Sequence, residues 1–250
     1  AIPDAQESRG LGDVYKRQAS RLPGKPLLKI NGLSIISHVY KKAQEANIGD
    51  VFVAAEDQEI VEDVKKNGGE AILTSKNHKT GTDRIYEAFV KLGKTDVELV
   101  MTLQGDEPLM NKEDIQNLKS QMTKTKRDLG TLAAKISHKK VFKSRDIVKV
   151  ITEESLDVSK FPRAINFMRK LDKENNQAYH HLGIYCYNVD ILKKFISFKQ
   201  SQNEIENRLE QLRALDNNIN VNVALTKSSP IGVDTKEDFM AIKKIMEYKS

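Results

Sequence analysis

Tryptophan is missing from the 250 residues, and cysteine occurs once, as Cys186. A single thiol cannot close an intrachain disulfide, so the fold must rest on its apolar core, and a reducing compartment is the simpler expectation. Histidine is scarce too: His38, His78 and His138 are isolated among five, and with one cysteine they form no zinc-ligand spacing. The chain has no long uncharged apolar stretch and does not start with the basic, apolar and small-residue order of a secretory signal. These absences predict a soluble, cytoplasmic protein with no membrane partner. Neither sign of charge dominates, since 41 Lys and Arg against 35 Asp and Glu leave a formal charge of +6. That mild excess favours anionic ligands, and because the charges are dispersed and no motif with interleaved aromatics occurs, nucleic acid is the weaker reading.

What is present alternates. Ile35, Val39 and Ala43 recur at helical spacing, and the apolar run Val51 to Ala55 reads as a buried strand. The pattern repeats with a helix through Ile60, Val61 and Val64 that stops at Gly68, then a strand from Ala71 to Leu73. A third unit pairs the helix RIYEAFVKL with the strand-like run Val97 to Gln104. Alternation of this kind predicts an α/β fold with a mostly parallel sheet flanked by helices. Further strands are expected at 130–136, 146–151, 181–189 and 220–225, with one helix over EIENRLEQLRAL and another from Thr235 to about Tyr248. Residues 1–18 match neither period and are assigned no structure, so 19–250 reads as a single domain with an inserted region at about 150–220.

Four places can carry chemistry. In SRLPGKPL, Arg21 and Lys25 flank Pro23-Gly24, and a glycine-permitted turn can aim two cations at one anion, although such turns are also plain surface loops. LQGDEPLM puts Gln104, Asp106 and Glu107 at the carboxyl end of a strand, where open α/β sheets bind ligands. Asp106 suits Mg²⁺, which takes few protein oxygens and completes its shell with water and phosphate, but it serves equally as a helix cap. Asp234 in IGVDTKEDF has the same two readings, with the cap the stronger. Strand alternation puts His181 and Tyr185 of HLGIYCY on one face, as a pocket or as a satisfied pair, and Cys186 between tyrosines reads as a small core residue. Glu206 and Glu210 at four-residue spacing near Arg213 read as an ion-paired, solvated helix face.

Taken in order, SRLPGKPL, KTGTDR, LQGDEP, HLGIY, LEQLR and GVDT resemble the motifs of the 3-deoxy-manno-octulosonate cytidylyltransferase (CMP-KDO synthetase) family, from about Ala19 to the last helix. The resemblance implies a Rossmann-like nucleotide-diphospho-sugar transferase fold and transfer of CMP from CTP to 3-deoxy-D-manno-octulosonate (KDO), for lipopolysaccharide biosynthesis, by a homodimer. It places Arg21 and Lys25 on the CTP phosphates, the loop Thr80, Gly81 and Arg84 near the nucleotide, and Asp106 and Asp234 on Mg²⁺. It draws the sugar pocket from Gln104, Arg163, His181, Tyr185, Glu210 and Gln211, and gives residues 150–220 to sugar binding and dimer contact. Two departures stand out. The family opens with a buried strand carrying a further arginine, where this chain reads GDVYKRQ with Lys16 at that position, so residues 1–18 are expected to be non-native. Lys160-Phe161-Pro162 also replaces the residues that normally precede the arginine matched to Arg163. A cytidylyltransferase for another acidic sugar, such as neuraminic acid, and a non-catalytic nucleotide- or nucleic-acid-binding protein remain alternatives.

Overall fold

A computed structural model describes residues 22–138, 140–171, 175–227 and 232–248. The expectations for residues 1–18 and for Arg21 fall outside these residues. Strands are β1 (Lys29–Ile30), β2 (Leu33–Ser34), β3 (Val53–Ala55), β4 (Ala71–Leu73), β5 (Leu99–Thr102), β6 (Leu129–Ala134), β7 (Lys149–Thr152), β8 (Ala164–Met168), β9 (Ala178–Asn188) and β10 (Val221–Leu225). Helices are α1 (Ile35–Glu45), α2 (Gln58–Lys66), α3 (Gly81–Leu92), α4 (Lys112–Thr125), α5 (Lys140–Lys143), α6 (Val189–Ser197), α7 (Gln202–Asn207), α8 (Leu212–Asp216) and α9 (Lys236–Tyr248). No helix among the described residues is long and apolar enough to cross a membrane.

The long strand β9 organises the main sheet. β6 lies along one of its edges, while the other edge takes β7 against residues 178–180 and β5 against residues 185–188. β8 extends the sheet beyond β7, and β10 joins β6 in parallel. β3 and β4 pair in parallel as a separate ribbon. The α/β class is as the alternation predicts, but the main sheet is mixed, because β9 runs antiparallel to every neighbour and is reached through the inserted region rather than through a helical crossover. The sheet also curls: Val223 N–H donates to the Pro162 carbonyl at 2.9 Å, and Arg163 bridges Asn222.

Alternation along β9 divides the core. Tyr185 and Tyr187 face one layer with Phe167, Leu192, Phe195 and Leu212. Ile184 and Cys186 face the other with Leu118 and Met122 of α4. Burying side chains of this size contributes about 1.5–3 kcal/mol each. Cys186 is a buried core thiol, as its setting in the strand suggested, and burial pushes its pKa up to about 12. Local signals set the helix ends: Ser34 Oγ accepts the Ser37 N–H at 3.2 Å to start α1, and Gly93 takes a left-handed φ of 62° to end α3.

One predicted helix is broken. EIENRLEQLRAL divides into α7 and α8 because Arg208 turns left-handed at φ 54°. The reading of Glu206 and Glu210 on a shared solvated face is therefore corrected: Glu206 is exposed, whereas Glu210 is buried in the bend. The bend is held from outside, since Arg169 donates to the carbonyls of Asn207 and Arg208 at 3.2 and 3.0 Å.

Candidate active site

The two aspartates most distant in sequence meet. Gly24 adopts φ 69° and turns the chain into a short 3-10 helix that begins at Lys25. The ammonium of Lys25 donates to Asp106 Oδ2 at 3.0 Å and to Asp234 Oδ1 at 3.2 Å. Burial disfavours charge on Lys25, but the two carboxylates outweigh it and raise its pKa. Asp106 sits just past the end of β5, and its backbone carbonyl accepts the Val233 N–H at 2.9 Å, which pins the loop bearing Asp234 beside it. The competing cap readings are resolved by the neighbours. Asn111 caps α4 through a 3.0 Å bond from Glu113 N–H, and Thr235 with Asp238 satisfies the start of α9, so both aspartates face Lys25 instead.

Glu107 completes the acidic group. Burial, then Asp106 and Asp234, push its carboxyl up to about 8, and its Oε2 has no hydrogen-bond partner among the described residues. A hard divalent cation asks for this chemistry: one or two carboxylates, with water and phosphate oxygens as the remainder. No set of three or more His, Cys, Asp and Glu among the described residues has metal-holding spacing, so protein oxygens alone do not form a cage. The residues fit an ion that is shared with a phosphate ligand.

A second polar group lies behind the start of α3. Thr80 caps this helix, its Oγ1 accepting the Asp83 N–H at 3.3 Å, and it is buried with Gly81, Thr82 and Arg84. Opposite stands Glu210, buried, with its pKa raised to about 7 by burial against the opposing pull of Arg213. The hydroxyls of Thr82 and Thr80 approach its carboxylate and hold it lower, short of full hydrogen-bond geometry. Arg213 Nη2 lies 3.9 Å from Glu210 but is committed to Glu204, with bonds of 2.8 and 2.6 Å. Gln211 is buried beside Glu210. Burial, then Tyr187 and Glu210, raise the Tyr185 pKa far above its ordinary value.

The remaining candidates divide. Gln104 is brought to β9, where its Nε2 donates to the Gly183 carbonyl at 3.3 Å. His181 and Tyr185 share a face, their rings 5.3 Å apart. Yet His181 is bonded to Thr131 Oγ1 at 3.0 Å and packed on Phe167, and burial followed by His180 lowers its pKa to about 3. It is neutral at ordinary pH and cannot serve as a cation. Arg84 is turned inward, ion-paired with Glu56 and donating to Thr74 Oγ1 at 2.8 Å and the Ser75 carbonyl at 3.0 Å, so it ties β3 and β4 to α3. Arg163 is exposed at the start of β8 and is not joined to either polar group by a described side-chain contact.

Sequence reasoning overlooked Thr82, Tyr187, Glu204 and the buried state of Arg213. It also overlooked Gly183, where a Cβ would lie 2.3 Å from Gln104 Nε2. Glycine inside a strand signals such a close approach, so that position was legible.

Comparison with known proteins agrees with the motif pattern. The cytidylyltransferase family model matches residues 17–226. A 3-deoxy-manno-octulosonate cytidylyltransferase of Thermodesulfovibrio yellowstonii is 41% identical over 239 residues, 91% of this chain and 94% of its own. One of Afipia carboxidovorans is 38% identical over 234 residues, 91% of this chain and 92% of its own. Among solved structures, a CMP:2-keto-3-deoxy-manno-octonic acid synthetase complexed with CTP superposes with a TM-score of 0.82 at 31% identity, covering 92% of this chain and 95% of that one. A UDP-glucose pyrophosphorylase shares the fold at a TM-score of 0.66 and 13% identity.

Proposed function

We infer the reaction from the family to which this chain belongs, the 3-deoxy-manno-octulosonate cytidylyltransferases: it transfers CMP from CTP to KDO and releases pyrophosphate. The observation that carries this reading is the convergence of Asp106 and Asp234, 128 positions apart in sequence, on the ammonium of Lys25. Nucleotidyl transfer is mainly positioning and charge neutralisation, and a cation locked between two acids at the end of a sheet strand is a site for both.

In this reading Lys25, with Arg21 just upstream, offers positive charge to the triphosphate. Thr80, Gly81 and Arg84 form the nucleotide side, with Arg84 acting through the shape of the loop it buttresses. Asp106 and Asp234 hold Mg²⁺, and the ion supplies charge neutralisation and a lowered pKa at the attacking hydroxyl. Gln104, Tyr185, Glu210 and Gln211 contact the sugar, His181 offers a neutral polar wall beside them, and Arg163 reaches the sugar carboxylate from the rim. The protein works as a cytoplasmic homodimer in lipopolysaccharide biosynthesis, and residues 150–220 contribute the dimer contact.

The test is a pyrophosphate-release assay with CTP, offered KDO or neuraminic acid, with and without Mg²⁺. Release that needs CTP, KDO and Mg²⁺ together supports the reading. Release with neuraminic acid alone transfers it to the other sugar, and no release from folded protein in any combination overturns it.

A further inference from the structure

A cavity of about 600 Å³ separates β3 from β5. Val53 and Ala54 line one side, and Val100 and Thr102 the other. Each strand is paired on one edge alone among the described residues: β3 with β4, and β5 with β9. No backbone hydrogen bond of the described residues crosses the cavity. The two strands run in the same direction, because Lys94, just before β5, pairs with Asp50, just before β3, and lies 5.2 Å from the Phe52 ring. Above and below, the cavity is closed by apolar side chains of α1 (Ile36, Val39), α3 (Ala88, Phe89) and α4 (Ile115).

Two facing rows of unpaired N–H and C=O groups with apolar walls define what fits. A compact apolar ligand would fill the volume but leave both rows unsatisfied, and each buried unpaired backbone group costs about 1–3 kcal/mol. An extended backbone satisfies both rows at once, and since both of its faces would meet helices, its side chains must be uncharged and apolar on each face. β5 spans four residues and β3 three, which sets the length at about five residues. The 21 residues preceding Leu22 are long enough to reach, but they carry Asp13, Lys16 and Arg17, and burying such charges without partners is costly.

We propose that the cleft between β3 and β5 is a strand-acceptor site, which binds an extended, uncharged, β-branched segment of about five residues donated by a separate polypeptide. Because β5 leads directly into Gln104 and Asp106, the donated strand also firms the end of the sheet that carries the acidic group.

The test uses the full chain with acetyl-Thr-Val-Ile-Val-Thr-amide as probe and the same peptide with proline for isoleucine as control. Hydrogen–deuterium exchange is followed on peptides covering 51–56 and 99–104, with circular dichroism confirming the fold. The expected result is at least about tenfold slower exchange at both segments with the probe and none with the control, since proline removes a donor. A rise in Tm of about 5 °C at a hundredfold excess over Kd accompanies it. The Ala54→Arg variant, which fills the slot, loses both effects. If that variant does not fold, the exchange pattern of the unaltered chain decides alone. Folded protein with no probe protection overturns the proposal, as does protection elsewhere. Protection already present without probe assigns the slot to the chain's own upstream residues, and protection that grows with protein concentration assigns it to a second copy; either overturns it too. None of these readouts depends on cytidylyl transfer.

Discussion

Arg213→Met separates a structural ion pair from the acids it controls. Arg213 is 2% exposed, donates twice to Glu204, lies 3.9 Å from Glu210 and stands 4.7 Å above the Phe195 ring. Methionine keeps the apolar stem but leaves two buried carboxyl groups without a cation. Breaking one partner of a buried pair costs about 3–5 kcal/mol. For a chain of this length each kcal/mol moves Tm by about 2–4 °C, so thermal melting at pH 8 is expected to fall by about 6–20 °C. The pH dependence follows from Glu210. Burial already raises this carboxyl from 4.5 to about 7 against the lowering pull of Arg213, and losing that pull raises it further. An acid whose folded pKa exceeds its unfolded value contributes stability that is fully present below pH 4.5 and is lost as pH rises through the folded pKa. The deficit of the variant is therefore greatest at pH 8 and smallest near pH 5. Adding Glu204→Gln to Arg213→Met removes the more strongly paired orphan and recovers part of the loss at pH 8. A variant within about 1 kcal/mol of the parent, or one with the same deficit at both pH values, refutes the electrostatic account.

Asp106→Asn keeps the shape of the loop and leaves Lys25 bonded to Asp234 at 3.2 Å, so the melting temperature should hold while turnover falls at least about a hundredfold in the pyrophosphate assay. Gly183→Ala drives a methyl into Gln104, whose flexible end must swing away; KM for KDO should rise about tenfold with KM for CTP unchanged, as expected when one sugar contact is displaced. Lys149 is buried and donates to the carbonyls of Ser144, Ile147 and Arg169, and burial followed by Arg169 lowers its pKa from 10.5 to about 8. A depressed base gains stability as pH rises from about 8 to 10.5, so the difference in Tm between the parent and Lys149→Met should widen over that interval in differential scanning calorimetry.

What could be read from the sequence follows the range of the interactions concerned. Strands such as Ala71–Leu73 and the closing helix near Lys236–Tyr248 were legible because their apolar period and end signals are local. The meeting of Asp106 with Asp234 was not, since each also reads as a cap, and a Val233 N–H bonded to the Asp106 carbonyl across the chain decides the matter. The α7–α8 bend shows the opposite failure. Glu206, Glu210 and Arg213 have ideal spacing for an exposed helix, and no glycine or proline announces the left-handed Arg208. The bend is chosen by what it buries: Glu204 both caps α7 and receives Arg213, and the turn then delivers Glu210 to the threonines at the start of α3. A pattern of charges that is indistinguishable from a surface helix thus becomes a buried polar group, because the carboxylates are worth more inside, paired with one guanidinium, than the local hydrogen bonds that a continuous helix would have kept.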